Sequence, residues 1–127
     1  MSTKKSNTEK ATLYIRLGGE EGIRKIVNDT LDKNYNNPDI GHHFQNVDMD
    51  QLKQRVFEFF SMGTGGPHQY TGKDMVAAHT GLNISKRDFD LADLDTIEAM
   101  KENGVAEAEI QEVIGILGSM RPDVIGK

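Results

Sequence analysis

Apolar residues in this chain recur every three or four positions, the spacing that places side chains on one face of an α-helix. The longest pattern predicts a helix from about Glu20 to Tyr35, which ends where the segment 36–38, Asn-Asn-Pro, interrupts it. Its apolar face comprises Ile23, Ile26, Val27, Leu31 and Tyr35. A shorter helix is predicted before it, from about Thr12 to Leu17, because the pair Gly18-Gly19 follows.

A third helix is predicted to begin after Asp48, whose side chain can cap it, and to end at the glycine cluster of residues 63–66. Its apolar face comprises Leu52, Val56, Phe59 and Phe60. We expect a single helical turn before it, up to Phe44. Residues 67–83 carry too little apolar periodicity for a long helix, so they predict a loop with about two helical turns near Met75 to Thr80.

The C-terminal part of the chain predicts two further helices. Ser85 and Asp88 form a capping-box pattern that opens the first, which ends near Asn103-Gly104. The second spans about Ala106 to Met120 and stops before Pro122. The residues predicted to face inward are Phe89, Ala92, Ile97 and Met100 on the first and Ile110, Val113, Ile114 and Leu117 on the second.

No segment alternates apolar and polar residues long enough to predict a strand. The expected fold class is therefore all-α, with four substantial helices packed as two crossed pairs. A length of 127 residues suits one domain, assigned to residues 11–127, because one core typically serves about 100–200 residues. The polar residues 1–10 are expected to form a flexible N-terminal tail.

Composition narrows the function classes. Hydrophobic residues make up 36% and the net charge is −5, which disfavours a general interaction with nucleic acid or an anionic membrane. The absence of Cys excludes disulfides, thiolate metal sites and a Cys nucleophile. No apolar run approaches the ~18 residues of a membrane span, and no signal-peptide pattern is present. A monomeric, cytoplasmic protein is the expectation.

Four histidines are the most informative candidates for chemistry. His42 and His43 are predicted to be a solvated pair of which at most one faces inward, and His68 is predicted to be exposed in a turn. His79 differs because Met75 lies four residues before it on the same helix face, among small residues that would let a flat group approach. From spacing alone, His79 is either a hydrogen-bonded core residue or a ligand.

A haem would need one imidazole, an apolar slot and cationic or hydroxyl groups at its rim. The apolar face of the third helix, with the ring of Phe44, could supply the slot. Lys53, Arg55 and Tyr70 could bind the propionates. The alternative, which spacing alone favours, is an ordinary core face flanked by solvated cations.

Several segments together resemble the group I truncated haemoglobins, over roughly residues 12–121. They are the run Leu-Tyr-Ile-Arg-Leu-Gly-Gly-Glu at 13–20, His43-Phe44, Val47-Asp48-Met49, Phe59-Phe60, the run Gly-Gly-Pro-His-Gln-Tyr-Thr-Gly-Lys-Asp-Met at 65–75, His79, Gly81, Ile84 and Phe89. The resemblance implies a two-over-two helical sandwich around one non-covalent haem b.

The resemblance also implies roles for single residues. His79 falls on the proximal iron ligand, Phe44 on the aromatic that packs against the porphyrin, and Leu52 on the distal position nearest the gas. Phe60 matches a residue that lines a gas tunnel in some members. The implied cofactor-binding residues are Phe44, Leu52, Lys53, Arg55, Val56, Phe59, Phe60, Tyr70, Met75, His79, Ile84 and Phe89.

The distal side departs from the family pattern. Where many members carry a Tyr, this chain has Thr30-Leu31, and where a Gln often stands it has Val56. The predicted gas pocket, formed by Thr30, Leu31, Leu52 and Val56, is therefore unusually apolar. Arg55 stays protonated and cannot ligate iron, and no His follows His79 to cross-link a haem. A shift of one residue in helix register would instead bring Gln51 or Gln54 inward.

An apolar pocket predicts strong CO and NO binding, weak O2 retention and fast autoxidation, unless Arg55 or Thr30 reaches the ligand.

Three functions stay open at this point: a gas-binding globin that could also oxidise NO with an external reductase, a non-catalytic gas sensor or carrier, and a haem-free helical module. The stretch from Asp88 to Glu112, with nine acidic residues and one basic residue, could dock a basic partner or be an ordinary solvated face.

Overall fold

The computed structural model describes residues 11–127, and the predicted N-terminal tail, residues 1–10, lies outside them. Within the described part, seven α-helices and one 3-10 turn follow one another, and no β-strand forms. They are α1 (Leu13–Arg16), α2 (Gly19–Asn36), the 3-10 turn (Gly41–Phe44), α3 (Met49–Gly63), α4 (Met75–His79), α5 (Lys86–Glu102), α6 (Glu107–Gly118) and α7 (Arg121–Val124). The all-α prediction is confirmed.

Local capping explains where the helices begin. The Asp48 carboxylate accepts a hydrogen bond from the backbone N–H of Gln51 at 3.1 Å and starts α3. Ser85 and Asp88 form the predicted reciprocal capping box of α5. Asp74 caps α4 by accepting from the backbone N–H of Ala77 at 2.8 Å. These bonds act within three residues, so they are properties of the local sequence.

The core lies where α2 packs against both α3 and α5, with α6 against α5. Its most buried large side chains, at 1% exposure or less, come from these four long helices. They are Ile23, Ile26, Val27, Phe57, Met100 and Ile110. Each such side chain stabilises the fold by about 1.5–3 kcal/mol relative to an exposed position.

Two details differ from the sequence predictions. Tyr35 was placed on the buried face of α2, but its side chain is 51% exposed, and Asn34 is buried instead. Asn34 faces α5, where its amide donates a hydrogen bond to Asp95 at 2.9 Å, and no neighbouring element covers the side chain of Tyr35 to the same extent. Pro122 does not end helical structure: it lies in the first turn of α7, where no backbone N–H is needed.

The C-terminal segment holds α4 in place. α4 packs against α7, and the backbone N–H of Gly81 donates to the carbonyl of Lys127 at 2.9 Å. The N–H of Gly126 donates to the carbonyl of Ile84 at 2.8 Å. The chain end thus positions the short helix that carries His79. None of the helices in residues 11–127 has both the length and the apolar character to cross a membrane.

Candidate functional site

A cavity of about 440 Å³ opens between α2, α3, α4 and α5. Small-molecule and cofactor sites typically enclose about 300–1,000 Å³ with few polar groups, and this cavity fits that description. The structure brings all but one of the predicted cofactor-binding residues to its wall. These are Phe44, Leu52, Arg55, Val56, Phe59, Phe60, Tyr70, Met75, His79, Ile84 and Phe89.

The imidazole of His79 is prepared to act as a metal ligand. Its Nδ1 lies 2.8 Å from the carbonyl oxygen of Met75, one helical turn earlier. A carbonyl can only accept, so Nδ1 carries a proton, and in the neutral form of this ring Nε2 has the free lone pair. A hydrogen bond of this kind orients the ring and makes the other nitrogen a better ligand. The donor set therefore fits a metal bound from one side by a single neutral imidazole.

Lys53 is the predicted site residue that the structure does not bring to the cavity. Its ammonium group lies 2.7 Å from a carboxylate oxygen of Asp32, so it bridges α3 and α2 instead. Tyr70 lines the cavity, and its hydroxyl donates to the carbonyl of Lys73. Arg55 also lines the cavity, and within residues 11–127 only one N–H group of its guanidinium is bound, to Glu58 at 3.3 Å. Arg55 is thus the cation best placed to pair with an acidic group in the cavity.

The predicted distal residues share one wall of the cavity. Thr30 and Leu31 on α2 and Leu52 and Val56 on α3 all line it. Their arrangement follows the register predicted from the apolar spacing. Neither alternative glutamine reaches this wall: Gln51 is exposed. The Gln54 side chain bonds to Arg24 at 3.0 Å and to Glu58 at 3.1 Å.

Glu58 does not line the cavity, but it holds the loop beside it, a role that the sequence did not predict. Its side chain is only 11% exposed and accepts from the hydroxyl of Thr71 at 2.8 Å and from the backbone N–H of Thr71 at 3.1 Å. With Gln54 and Arg55 donating to its other oxygen, these bonds lower the pKa of Glu58 to about 2, the Thr71 hydroxyl contributing most. The carboxylate fastens the loop after α3 to the helix. A lone Glu within a helix predicts only a solvated face, so periodicity carried no signal of this role.

His43 was predicted to belong to a solvated pair, but its side chain is 10% exposed and lines the cavity. Its Nε2 lies 3.1 Å from a carboxylate oxygen of Asp88 at the start of α5. Asp88 has a lowered pKa, chiefly because it accepts from the backbone N–H of Ser85 and further because of His43. His42 is exposed. The two ring centroids lie 4.1 Å apart with their planes tilted by 39°, and of the two residues only His43 lines the cavity.

His68 was predicted to be exposed, but it folds back onto α3. Its Nδ1 lies 2.8 Å from the hydroxyl oxygen of the fully buried Ser61, and its ring stands edge-on to Phe57 at 4.8 Å. This approach depends on Gly66, because a Cβ there would come within 2.4 Å of both Ser61 Oγ and the ring of Tyr14. The interaction attaches the loop to the helix at a second point.

Six of the nine acidic residues from Asp88 to Glu112 form ion pairs with Lys or Arg side chains of the chain. Lys33 on α2 binds Glu98 and Glu102 at 2.9 and 3.0 Å. Arg16 binds Glu109 at 2.9 Å and also pairs with Glu112, which lowers the pKa of Glu112. Arg121 pairs in the same way with Asp90 and Asp93. These ion pairs favour the interpretation of a solvated helix face over that of a docking surface for a basic partner.

Comparisons with known proteins agree with this geometry. Residues 12–125 match the family model for bacterial-like globins. The chain is 34% identical to the group 1 truncated hemoglobin of Tetrahymena pyriformis, over 91% of this chain and 96% of that one. It is 29% identical to the group 1 truncated hemoglobin GlbN of Mycolicibacterium paratuberculosis, over 91% and 85%.

Solved structures give the same result. The Fe(III) form of the Tetrahymena pyriformis protein superposes with a TM-score of 0.89 over 92% of this chain and 100% of that one. The 2/2 hemoglobin of a Synechococcus species, in the cyanomet state with covalently attached heme, has 28% identity and a TM-score of 0.85, over 91% and 98%. This chain therefore belongs to the bacterial-like globins, as a truncated haemoglobin with the two-over-two fold and haem b as its cofactor.

Proposed function

We propose that this protein binds O2, CO and NO at a haem b held by His79. The observation that carries the proposal is the Nδ1–H bond from His79 to the Met75 carbonyl, which leaves Nε2 available on the wall of an apolar cavity. When bound, the haem supplies an iron that takes a gas ligand and exchanges one electron. The chain itself orients the ligand imidazole and keeps bulk water away.

The remaining residues would hold the haem by its faces and its edge. Phe44, Phe59 and Phe60 supply aromatic surface on the cavity wall. We assign the partner of a haem propionate to Arg55, since its guanidinium is charged and has N–H groups to spare.

The ligand assignment is tested by His79→Gly, with the exposed His42→Gly as the matched control. We expect the purified wild type to be red, with an intense near-ultraviolet haem band. His79→Gly should lose this band or show it altered, and added imidazole should restore it, because the free ligand replaces the missing ring. A wild type that stays colourless after hemin is added would identify a haem-free module instead, and an unchanged spectrum in His79→Gly would refute the assignment.

We further propose that the wall formed by Leu31, Leu52 and Val56 makes O2 retention weak relative to CO and NO. A hydrogen bond to a charged acceptor contributes about 1.5–3 kcal/mol, which corresponds to a tenfold to hundredfold change in rate. Leu31→Tyr should therefore slow O2 dissociation by about that factor, whereas Leu31→Phe, of similar size without the hydroxyl, should not. Flow mixing of the O2 complex with CO measures the rates, and equal rates in the two variants would contradict the proposal.

Conversion of NO to nitrate is the catalytic activity that we propose to test. NO and O2 together contain the atoms of nitrate, and the ion's negative charge requires one electron, which a bound ferrous haem would supply. Each turnover then needs one electron from an external reductase, because the sequence contains no flavin or nicotinamide fingerprint. Nitrate formed over many cycles with a reductase present would support an enzyme, and nitrate limited to one cycle would support a sensor or carrier.

A further inference from the structure

The hydroxyl of Thr30 stands out in the hydrogen-bond pattern of this protein. Among residues 11–127, its Oγ1 is the only buried side-chain nitrogen or oxygen atom without a hydrogen-bond partner. Two other threonines in or at the end of a helix satisfy their hydroxyls through the carbonyl one turn earlier: Thr64 bonds to Phe60 at 2.6 Å and Thr96 to Ala92 at 2.9 Å. A helical threonine normally has this option, and Thr30 does not use it.

The position of Thr30 connects this unsatisfied hydroxyl with the cavity. The residue is 8% exposed and lines the cavity beside Leu31, on the wall shared with Leu52 and Val56. The other polar residues on the cavity wall all have hydrogen-bond or ion-pair partners within the protein. They are Asn34, His43, Arg55, Tyr70, His79, Asp88, Asp93 and Thr96.

A change of side-chain rotamer would give the hydroxyl access to the cavity. In the present rotamer Oγ1 is shielded from solvent. A 120° rotation about χ1 in one direction moves the hydroxyl to the position that the methyl group now holds and moves the methyl group to that of the hydrogen, and threonine is the β-branched residue that populates two rotamers in helices. The rotation breaks no existing hydrogen bond, because Oγ1 makes none. A buried hydroxyl without a partner is unfavourable, so a hydrogen bond from it to an acceptor inside the cavity would lower the free energy.

We propose that Thr30 is the hydrogen-bond donor to the gas ligand and sets the preference of this protein among diatomic gases. The inference rests on the proposed haem function. A bound diatomic molecule whose outer atom carries partial negative charge, such as O2, accepts the hydroxyl proton, whereas CO accepts it weakly. A hydroxyl on α2 would thus partly offset the apolar character of Leu31, Leu52 and Val56.

Three variants distinguish the effect of the hydroxyl group from the effect of side-chain volume. Thr30→Val replaces the hydroxyl with a methyl group at almost the same size, Thr30→Ala removes both groups, and Thr30→Ser keeps the hydroxyl. We expect O2 dissociation to be about tenfold faster in Thr30→Val and Thr30→Ala, and within about twofold of the wild type in Thr30→Ser. CO dissociation should change less than twofold in all three variants. The C–O stretching frequency of the CO complex should rise only in the two variants without the hydroxyl.

Urea unfolding of the CO complex gives a readout that is independent of O2. Thr30→Val should unfold at an equal or higher urea concentration than the wild type, because it removes a buried unsatisfied group. The proposal is overturned if all variants keep the haem band but release O2 at the wild-type rate with an unchanged C–O stretch. A wild type that cannot take up haem would instead overturn the proposed function, so the two failures are distinguishable.

Discussion

The two walls of the cavity are built in different ways. The helical wall, formed by α2 and α3, is stabilised by apolar burial, with Ile26, Val27 and Phe57 at 1% exposure each. The loop wall, residues 64–85, contains α4, which has no buried residue at all. Polar interactions hold it, including the bonds of Glu58 to Thr71. The iron ligand that we propose therefore lies on the wall with the weaker apolar anchoring.

This difference indicates which wall responds more strongly to a change of pH and opens more readily. Apolar burial depends little on pH, whereas a hydrogen-bonded carboxylate or imidazole loses its partner when its protonation changes. Segments with few buried apolar contacts also open locally at lower free energy than the core. We expect haem retention to depend mainly on the loop wall and global stability to depend on both walls, with its pH-dependent part in the loop wall.

Among the substitutions that compare the two walls, we expect the largest effect from removing the charge of Glu58. Glu58→Gln weakens the hydrogen bonds to Thr71, and we expect a loss of about 1.5–3 kcal/mol in the free energy of unfolding together with faster haem release. Urea unfolding and hemin transfer to an acceptor protein measure the two effects. Glu21→Gln, which alters an exposed acid of α2, is the control and should change stability by at most about 0.5 kcal/mol.

The same residue predicts a pH dependence. The pKa of Glu58 is lowered from an ordinary value of 4.5 to about 2, so its contribution to stability is fully present above the unfolded-state pKa and is lost as the pH falls from about 4.5 towards 2. Haem release from the wild type should accelerate over this range, and the acceleration should be smaller in Glu58→Gln. Identical pH profiles for the two proteins would show that this carboxylate does not hold the loop.

Two glycine substitutions test whether the loop wall depends on its close approach to α3. Gly66→Ala should cost about 1–3 kcal/mol, because its Cβ would come within 2.4 Å of Ser61 Oγ and the Tyr14 ring. Gly115→Ala in α6 meets nothing within 4 Å and should stabilise the protein by about 0.5–1 kcal/mol, since alanine favours the helix. Thermal unfolding measures both. Equal shifts in the two variants would mean that the loop does not need its close approach to α3.

The smallest effect is expected at Lys53. This residue pairs with the largely exposed Asp32, so Lys53→Ala should change stability by less than about 1 kcal/mol and leave hemin transfer unchanged. Arg55→Ala, on the cavity wall, should release hemin several-fold faster. If the two variants released hemin at the same rate, the distinction that the structure draws between these neighbouring cations would be wrong.

Residues on the helical wall could be predicted from the sequence because their signals are local. The spacing of Leu52, Val56 and Phe60 along α3 predicted one cavity-facing side, and all three lie on it. The capping residues Asp48 and Ser85 predicted helix starts that the structure confirms. Tyr35 was predicted wrongly by the same logic, because a helix face is buried only as far as a neighbouring element covers it.

The sequence alone determined the helices and the fold class, through helical spacing and helix caps. The resemblance carried by the residues around His79 led to the proposed iron ligand. These signals depend on neighbours a few positions apart and survive without knowledge of the packing. Only the tertiary structure decided which polar groups meet, since Lys53 and Asp32 are 21 positions apart and His43 and Asp88 are 45. Whether a charge or an imidazole faces solvent, a partner or the cavity depends on the arrangement of distant elements, which no local pattern encodes.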